Sequence, residues 1–209
     1  LEQVRFFPDS WREVGTVTPR GLQHLVSNLP LLRGLAISSR NPVMDANEVV
    51  FDGSGTLLRS LSLFSPLSNT ALTAQRCLAW RCLSYLWLGP HKLMQRGIGA
   101  ECQISDSGLE VVVQNCALLQ DLTVASFHLT NAAVCSCVSR CLQLRRLRLG
   151  GGGITDDCFA MIKAVVQPRL ECFSLWFSGV TLSALEEARV EMPWTYFDVE
   201  LLETEEEKF

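Results

Sequence analysis

The sequence predicts an α/β solenoid, a horseshoe whose strands form a concave parallel β-sheet and whose helices cover the convex side. Three observations predict it. An apolar pattern, L-x-x-L-x-L in outline, recurs eight times; its copies settle into a spacing of about 25 residues; and a helix-starting pattern falls between them.

The strand copies, in order, are Leu1-Val4-Phe6, Leu32-Leu35-Ile37, Leu58-Leu61-Leu63, Leu83-Leu86-Leu88, Leu119-Leu122-Val124, Leu144-Leu147-Leu149, Leu170-Phe173-Leu175 and Trp194-Phe197-Val199. Their first positions are separated by 31, 26, 25, 36, 25, 26 and 24 residues. The two long steps place insertions before Thr18 and near 89–103, the second carrying GPHKLMQRGIGAEC.

The second pattern is an apolar residue, a Ser or Thr, two variable positions, a small residue and another apolar one. It reads VTPRGL from Val17, LSNTAL from Leu67, ISDSGL from Ile104, LTNAAV from Leu129, ITDDCF from Ile154 and VTLSAL from Val180. The hydroxyl is expected to accept a hydrogen bond from a free N–H in the first turn, worth about 1 kcal/mol. The small residue lets the helix approach its neighbour. No single strand-helix unit can bury its own apolar faces, so the units stack, with the leucines between sheet and helices.

The stretch ISDSGLEVVVQNCALLQDLTV, Ile104 to Val124, resembles the cysteine-containing leucine-rich repeat in the substrate-binding arms of F-box proteins, including Cys116 three residues before the strand leucine Leu119. Cys141 before Leu144 repeats that feature. The likeness spans nearly the whole chain and is strongest from Ser105 to Phe177. It implies a leucine-rich-repeat domain over 1–202, followed by an acidic tail over 203–209, and a role as the substrate-recognition arm of a ubiquitin ligase. The family often places Cys or Asn three residues beyond the last strand leucine, where this chain has Pro66, His91, Phe127, Gly152 and Ser178. No F-box segment stands within the 209 residues.

One stretch invites a different chemistry. VVFDGSGTLL, Val49 to Leu58, resembles the aspartate loop of haloacid-dehalogenase-type phosphatases, an apolar strand followed by D-x-D-G-T-L. In that reading Asp52 attacks phosphorus, Thr56 supplies the hydroxyl, and Lys92 and Asp156-Asp157 supply the later elements, with magnesium held nearby. Ser54, however, replaces the acid-base carboxylate, and Asp156-Asp157 occupy the helix-start position filled by Asp106-Ser107 and Asn131-Ala132 in neighbouring units. A return loop, with Gly53 and Gly55 allowing the turn, is the preferred reading.

Other motifs yield to structural explanations as well. Gly150 to Gly153 lack the Lys-Ser or Lys-Thr of a phosphate loop and read as a turn after the sixth strand. Cys135, Cys137 and Cys141, near His128, point in different directions on a helix, so core and surface thiols are expected rather than zinc. No catalytic constellation, cofactor or metal site is expected, and the chain is read as non-enzymatic.

The totals agree. With 48% hydrophobic and 19% charged residues the chain can bury a large core. Charges such as Arg81, Asp121 and Arg140 interrupt every apolar run, so no membrane span is expected. Of the net charge of −4, Glu203, Glu205, Glu206 and Glu207 against Lys208 supply −3, leaving −1 for the rest. A near-neutral body argues against nucleic acid as the main ligand. Nine cysteines without disulfide-like spacing point to a reducing intracellular compartment: cytosol, nucleus or mitochondrial matrix.

The x positions of each strand face away from the core, onto the concave side. The third positions give a row containing Tyr85, Asp121, Arg146, Cys172 and Tyr196, and the fifth a row containing Trp87, Thr123, Arg148, Ser174 and Asp198. Tyr, Trp and Arg dominate binding hot spots. The candidate partner-binding residues are therefore Tyr85, Trp87, Arg146, Arg148, Trp176 and Tyr196, with Trp176 just past the seventh strand. Asp121 is expected to pair with Arg146 and Glu171 with Arg145, leaving Arg148 without a partner. A protein-protein interaction module is the first functional reading. A fixed structural subunit of a large assembly is the second, since small mitochondrial coupling-factor-like proteins use a similar repeat. The phosphatase is the third.

Overall fold

The computed structural model describes residues 2–6, 24, 28–29, 31–38, 57–64, 67–69, 72–73, 77, 80–89, 102–165 and 169–201. The loop residues Asp52 to Thr56, Lys92, most of the 89–103 insertion and the tail from Glu203 lie outside them.

Strands form at all eight apolar patterns: β1 (Gln3–Phe6), β2 (Gly34–Ser38), β3 (Ser60–Phe64), β4 (Tyr85–Leu88), β5 (Asp121–Ala125), β6 (Arg146–Gly150), β7 (Cys172–Ser178) and β8 (Tyr196–Leu201). They make one parallel sheet in chain order. Four helices are described, one after each of β4 to β7: α1 (Asp106–Asn115), α2 (Asn131–Arg140), α3 (Asp157–Val165) and α4 (Leu182–Glu191). Parallel neighbours need a crossover between them, and from β4 onward the crossovers carry these helices. The fold is α/β, a single parallel sheet alternating with helices. Among the described residues no helix is long and apolar enough to cross a membrane.

The register follows the leucines. Leu35, Leu61, Leu86, Leu122, Leu147, Phe173 and Phe197 pair in sequence across the sheet. They lie in one core with Leu109, Val112, Val134, Val138, Phe159 and Ile162 from the helices. At the C-terminal end, Phe159, Phe173 and Phe197 pack edge-to-face, with ring centres 5.6 to 6.4 Å apart.

The Ser/Thr positions at the helix starts do more than cap. Thr130 and Thr181 accept from the backbone N–H groups of Ala132 and Ala184, as expected, but Ser105 makes no cap bond to its own helix. Instead the Ser105 N–H donates to Asn69 Oδ1 at 2.9 Å, and the Asn69 amide donates back to Ser105 Oγ at 2.7 Å. The next units repeat this rung: Asp106 with Thr130, Asn131 with Thr155, and Asp156 with Thr181. From Ser105-Asp106 to Thr155-Asp156, the Ser or Thr of each dyad bonds backward to the preceding unit and the following Asn or Asp bonds forward. Thr181 is followed by Leu182, and there the ladder ends. Gly108, the small residue after Ser105, abuts the Asn69 side chain so closely that a Cβ would collide with it.

The long insertion is fastened where it returns. Ser126, buried just beyond β5, donates its hydroxyl toward the carbonyls of Cys102, 2.8 Å away, and Ile104, 2.6 Å away. Gly89, where the insertion leaves β4, has φ +102°, and a Cβ there would stand 2.7 Å from the Ala125 carbonyl oxygen. Glycine is required on both counts. The Gly150–Gly153 run is held by close approach: Gly150 ends β6, and Gly151 is buried against the Leu129 carbonyl.

All nine cysteines are free thiols. Cys135 faces solvent from α2, whereas Cys137 and Cys141 lie in the core, so the three do not converge. No cluster of three metal-binding side chains forms among the described residues. Cys141 lies near the carbonyl of Cys116, linking equivalent positions of consecutive units. Burial pushes the Cys141 and Cys158 thiols up to about 12 and holds Cys116 and Cys137 above the ordinary thiol value.

Candidate partner-binding face

The pairing register sets Ser60, Tyr85, Asp121, Arg146, Cys172 and Tyr196 side by side on successive strands, and Ser62, Trp87, Thr123, Arg148, Ser174 and Asp198 in the adjoining row. Because side chains alternate across a strand, both rows lie on the face opposite the leucines.

On the second row large and small residues alternate. Ser62, Thr123 and Ser174 are buried, although they point away from the core, while Trp87 and Arg148 between them remain part-exposed. Thr123 Oγ1 is buried without a hydrogen-bond partner among the described residues. The Trp87 ring stands edge-on to Phe64, with centroids 5.4 Å apart. Tyr85 is hydrogen-bonded to the Ser62 hydroxyl. Burial and then the charge of Asp121 raise its phenol above the ordinary value, against the Ser62 bond and the charge of Arg148.

Asp121 is the hub of the face. Its side chain is only 12% exposed, and it accepts from both Arg146 Nη1, at 3.4 Å, and Arg148 Nη1, at 3.3 Å. Arg148 is therefore not without a partner, as the row order implied. It reaches diagonally past Thr123 to a carboxylate one strand over and two residues back. The expected Arg145–Glu171 pair is present at 2.8 Å.

Four of the six predicted contact residues, Tyr85, Trp87, Arg146 and Arg148, thus gather around Asp121 on β4 to β6. The other two stand apart. Tyr196 lies on β8, the last strand, 67% exposed. Trp176 lies within β7 rather than past it, opposite Gly150, because the strand continues to Ser178. The extension contains a register shift between Leu175 and Ser178, and Phe177 there takes a positive φ of 55°. Phe64 belongs to the face and was missed, though its alternation with Ser62 marks it. Asp121 was assigned one arginine and holds two.

The comparisons bear on the fold. No protein-family model and no curated protein matches the sequence. A crystal structure of a Bacteroides fragilis protein, solved as a structural genomics target, is similar to 90% of this chain with a TM-score of 0.52 at 11% identity. The alignment takes in 61% of that protein's own length. At such low identity the likeness concerns the α/β architecture alone.

Both carboxylate oxygens of Asp156, one of the phosphatase candidates, are occupied by the Thr181 N–H and hydroxyl, at 2.7 and 3.0 Å. Asp52, Thr56 and Lys92 lie outside the described residues.

Proposed function

We propose that this chain is a leucine-rich-repeat solenoid acting as a non-enzymatic protein-interaction module, which holds a partner protein against the concave face of β4 to β6. The observation that carries the reading is the gathering of Tyr85, Trp87, Arg146 and Arg148 around a single carboxylate, Asp121. Aromatic and arginine side chains held on a rigid sheet lose little freedom on binding and make the strongest interface contacts. The eight strand units and the ladder linking helix starts support the solenoid assignment. The resemblance to F-box repeat arms makes substrate recognition in a ubiquitin ligase the leading context. Affinity purification comparing the normal chain with Trp87→Ala/Arg148→Ala tests it: cullin-type ligase components with a small set of substrates are expected with the normal chain, and the substrates are expected to be lost or depleted with the variant.

The second reading, a fixed subunit of a large assembly, is favoured by one observation. The unit of α4 and β8 exposes the apolar side chains Leu182, Val190 and Trp194. A single stoichiometric complex retained by both forms of the chain would support this reading over the first.

A further inference from the structure

We infer that the concave face recognises an acidic segment of its protein partner, a carboxylate of which seats between Arg146 and Arg148. The inference rests on the concave-face reading above and names the partner's chemistry.

Two guanidinium groups share one carboxylate, so the cluster keeps one uncompensated positive charge. Each arginine reaches Asp121 through Nη1 alone, at 3.4 and 3.3 Å, longer than the roughly 2.7–2.9 Å of a strong charged hydrogen bond. A guanidinium carries five donors in a planar fork, and carboxylates fit that fork two bonds at a time. Neither arginine is sequestered: Arg146 is 51% and Arg148 29% exposed.

The chain's neighbouring acids do not complete the pair. Glu171 is engaged by Arg145. Asp198 is in line with Arg148 but two strands away, with Ser174 between them, about 10 Å at the usual strand spacing. The half-buried rings of Tyr85 and Trp87 wall the other side and reduce the water around an incoming carboxylate, which strengthens the interaction. Asp198, exposed beside Tyr196, adds a complementary demand: a Lys or Arg about three residues from the acid in an extended segment. The phosphates of a nucleic acid would meet Asp121 and Asp198 unfavourably, so the occupant is a protein segment.

The test is selection of a random displayed peptide library on the purified chain. The expected result is peptides enriched in Asp or Glu, with a basic residue nearby. Their affinity should fall about tenfold or more with Arg146→Gln/Arg148→Gln. It should rise with Asp121→Asn, which releases both guanidinium groups, a gain that a misfolded variant would not show. Peptides that depend on Trp87 but carry no acidic enrichment overturn the acidic-segment inference and leave the concave-face reading standing. A selection that returns no peptide sensitive to Trp87, Arg146 or Arg148 overturns both.

Discussion

Asp106 accepts both the backbone N–H and the hydroxyl of Thr130, at 2.9 and 2.6 Å, across 24 residues of sequence. Those residues span one unit, so the bond joins the start of one helix to the start of the next. Hydrophobic contact along a stack is tolerant of sliding, whereas this rung has one geometry, and it recurs through Asn69, Asn131 and Asp156.

Asp106→Ala leaves the part-buried Thr130 N–H and hydroxyl without their acceptor and should cost about 1–3 kcal/mol. Asp106→Asn should cost less, since Asn fills the same position at 69 and 131. Urea denaturation of the three proteins decides it, and equal midpoints would show that the rungs contribute nothing.

The shared carboxylate makes the two arginines redundant for folding. Arg146→Ala or Arg148→Ala alone leaves Asp121 one cation and should change stability by less than about 1 kcal/mol. Removing both strands a mostly buried carboxylate, so the double variant should lose more than the sum of the singles. A double-mutant cycle measures that excess directly.

Phe173 is fully buried at the centre of the Phe159–Phe173–Phe197 cluster. Phe173→Ala should destabilise the chain by about 3–5 kcal/mol, through lost burial and the cavity left behind. Calorimetry should show the drop, while Leu182→Ala, at a half-exposed position, should barely move the melting temperature.

Stability should decline in alkali. In the unfolded chain the thiols ionise near their ordinary value of about 9, but burial delays Cys141 and Cys158 to about 12. The native state then binds more protons than the unfolded one. Their contribution is complete below about pH 9 and shrinks as pH rises toward 12. Denaturation midpoints at pH 7.5 and 10 test the sign. In the native protein a thiol reagent should label Cys82 and Cys135 first, since both are exposed.

Gly89→Ala introduces a Cβ at φ +102° and 2.7 Å from a carbonyl oxygen. A loss above about 1 kcal/mol is expected by thermal denaturation. Gly152→Ala, where the nearest atom is 3.7 Å from the new Cβ, should be nearly neutral.

The eight strands and their register were legible because a strand's face is written in its own residues. A one-residue slip would turn Leu61 or Leu122 toward solvent, so the leucines dictate which outward residues line up, and the Tyr85 and Trp87 rows follow. The starts of the four described helices were legible for the same local reason. Polar partnership was not. Whether Ser105 caps its own helix or bonds to Asn69 depends on a neighbour 36 residues back, across the long insertion. That Arg148 leans to Asp121 rather than standing alone depends on side-chain reach along a diagonal of the sheet, and that Trp176 lies inside β7 depends on the irregularity at Phe177. Apolar periodicity within one unit determines its elements and their inward faces by itself. Hydrogen bonds and ion pairs between units need donors and acceptors about 25 residues apart brought to within 3.5 Å, and only stacking decides which of them meet.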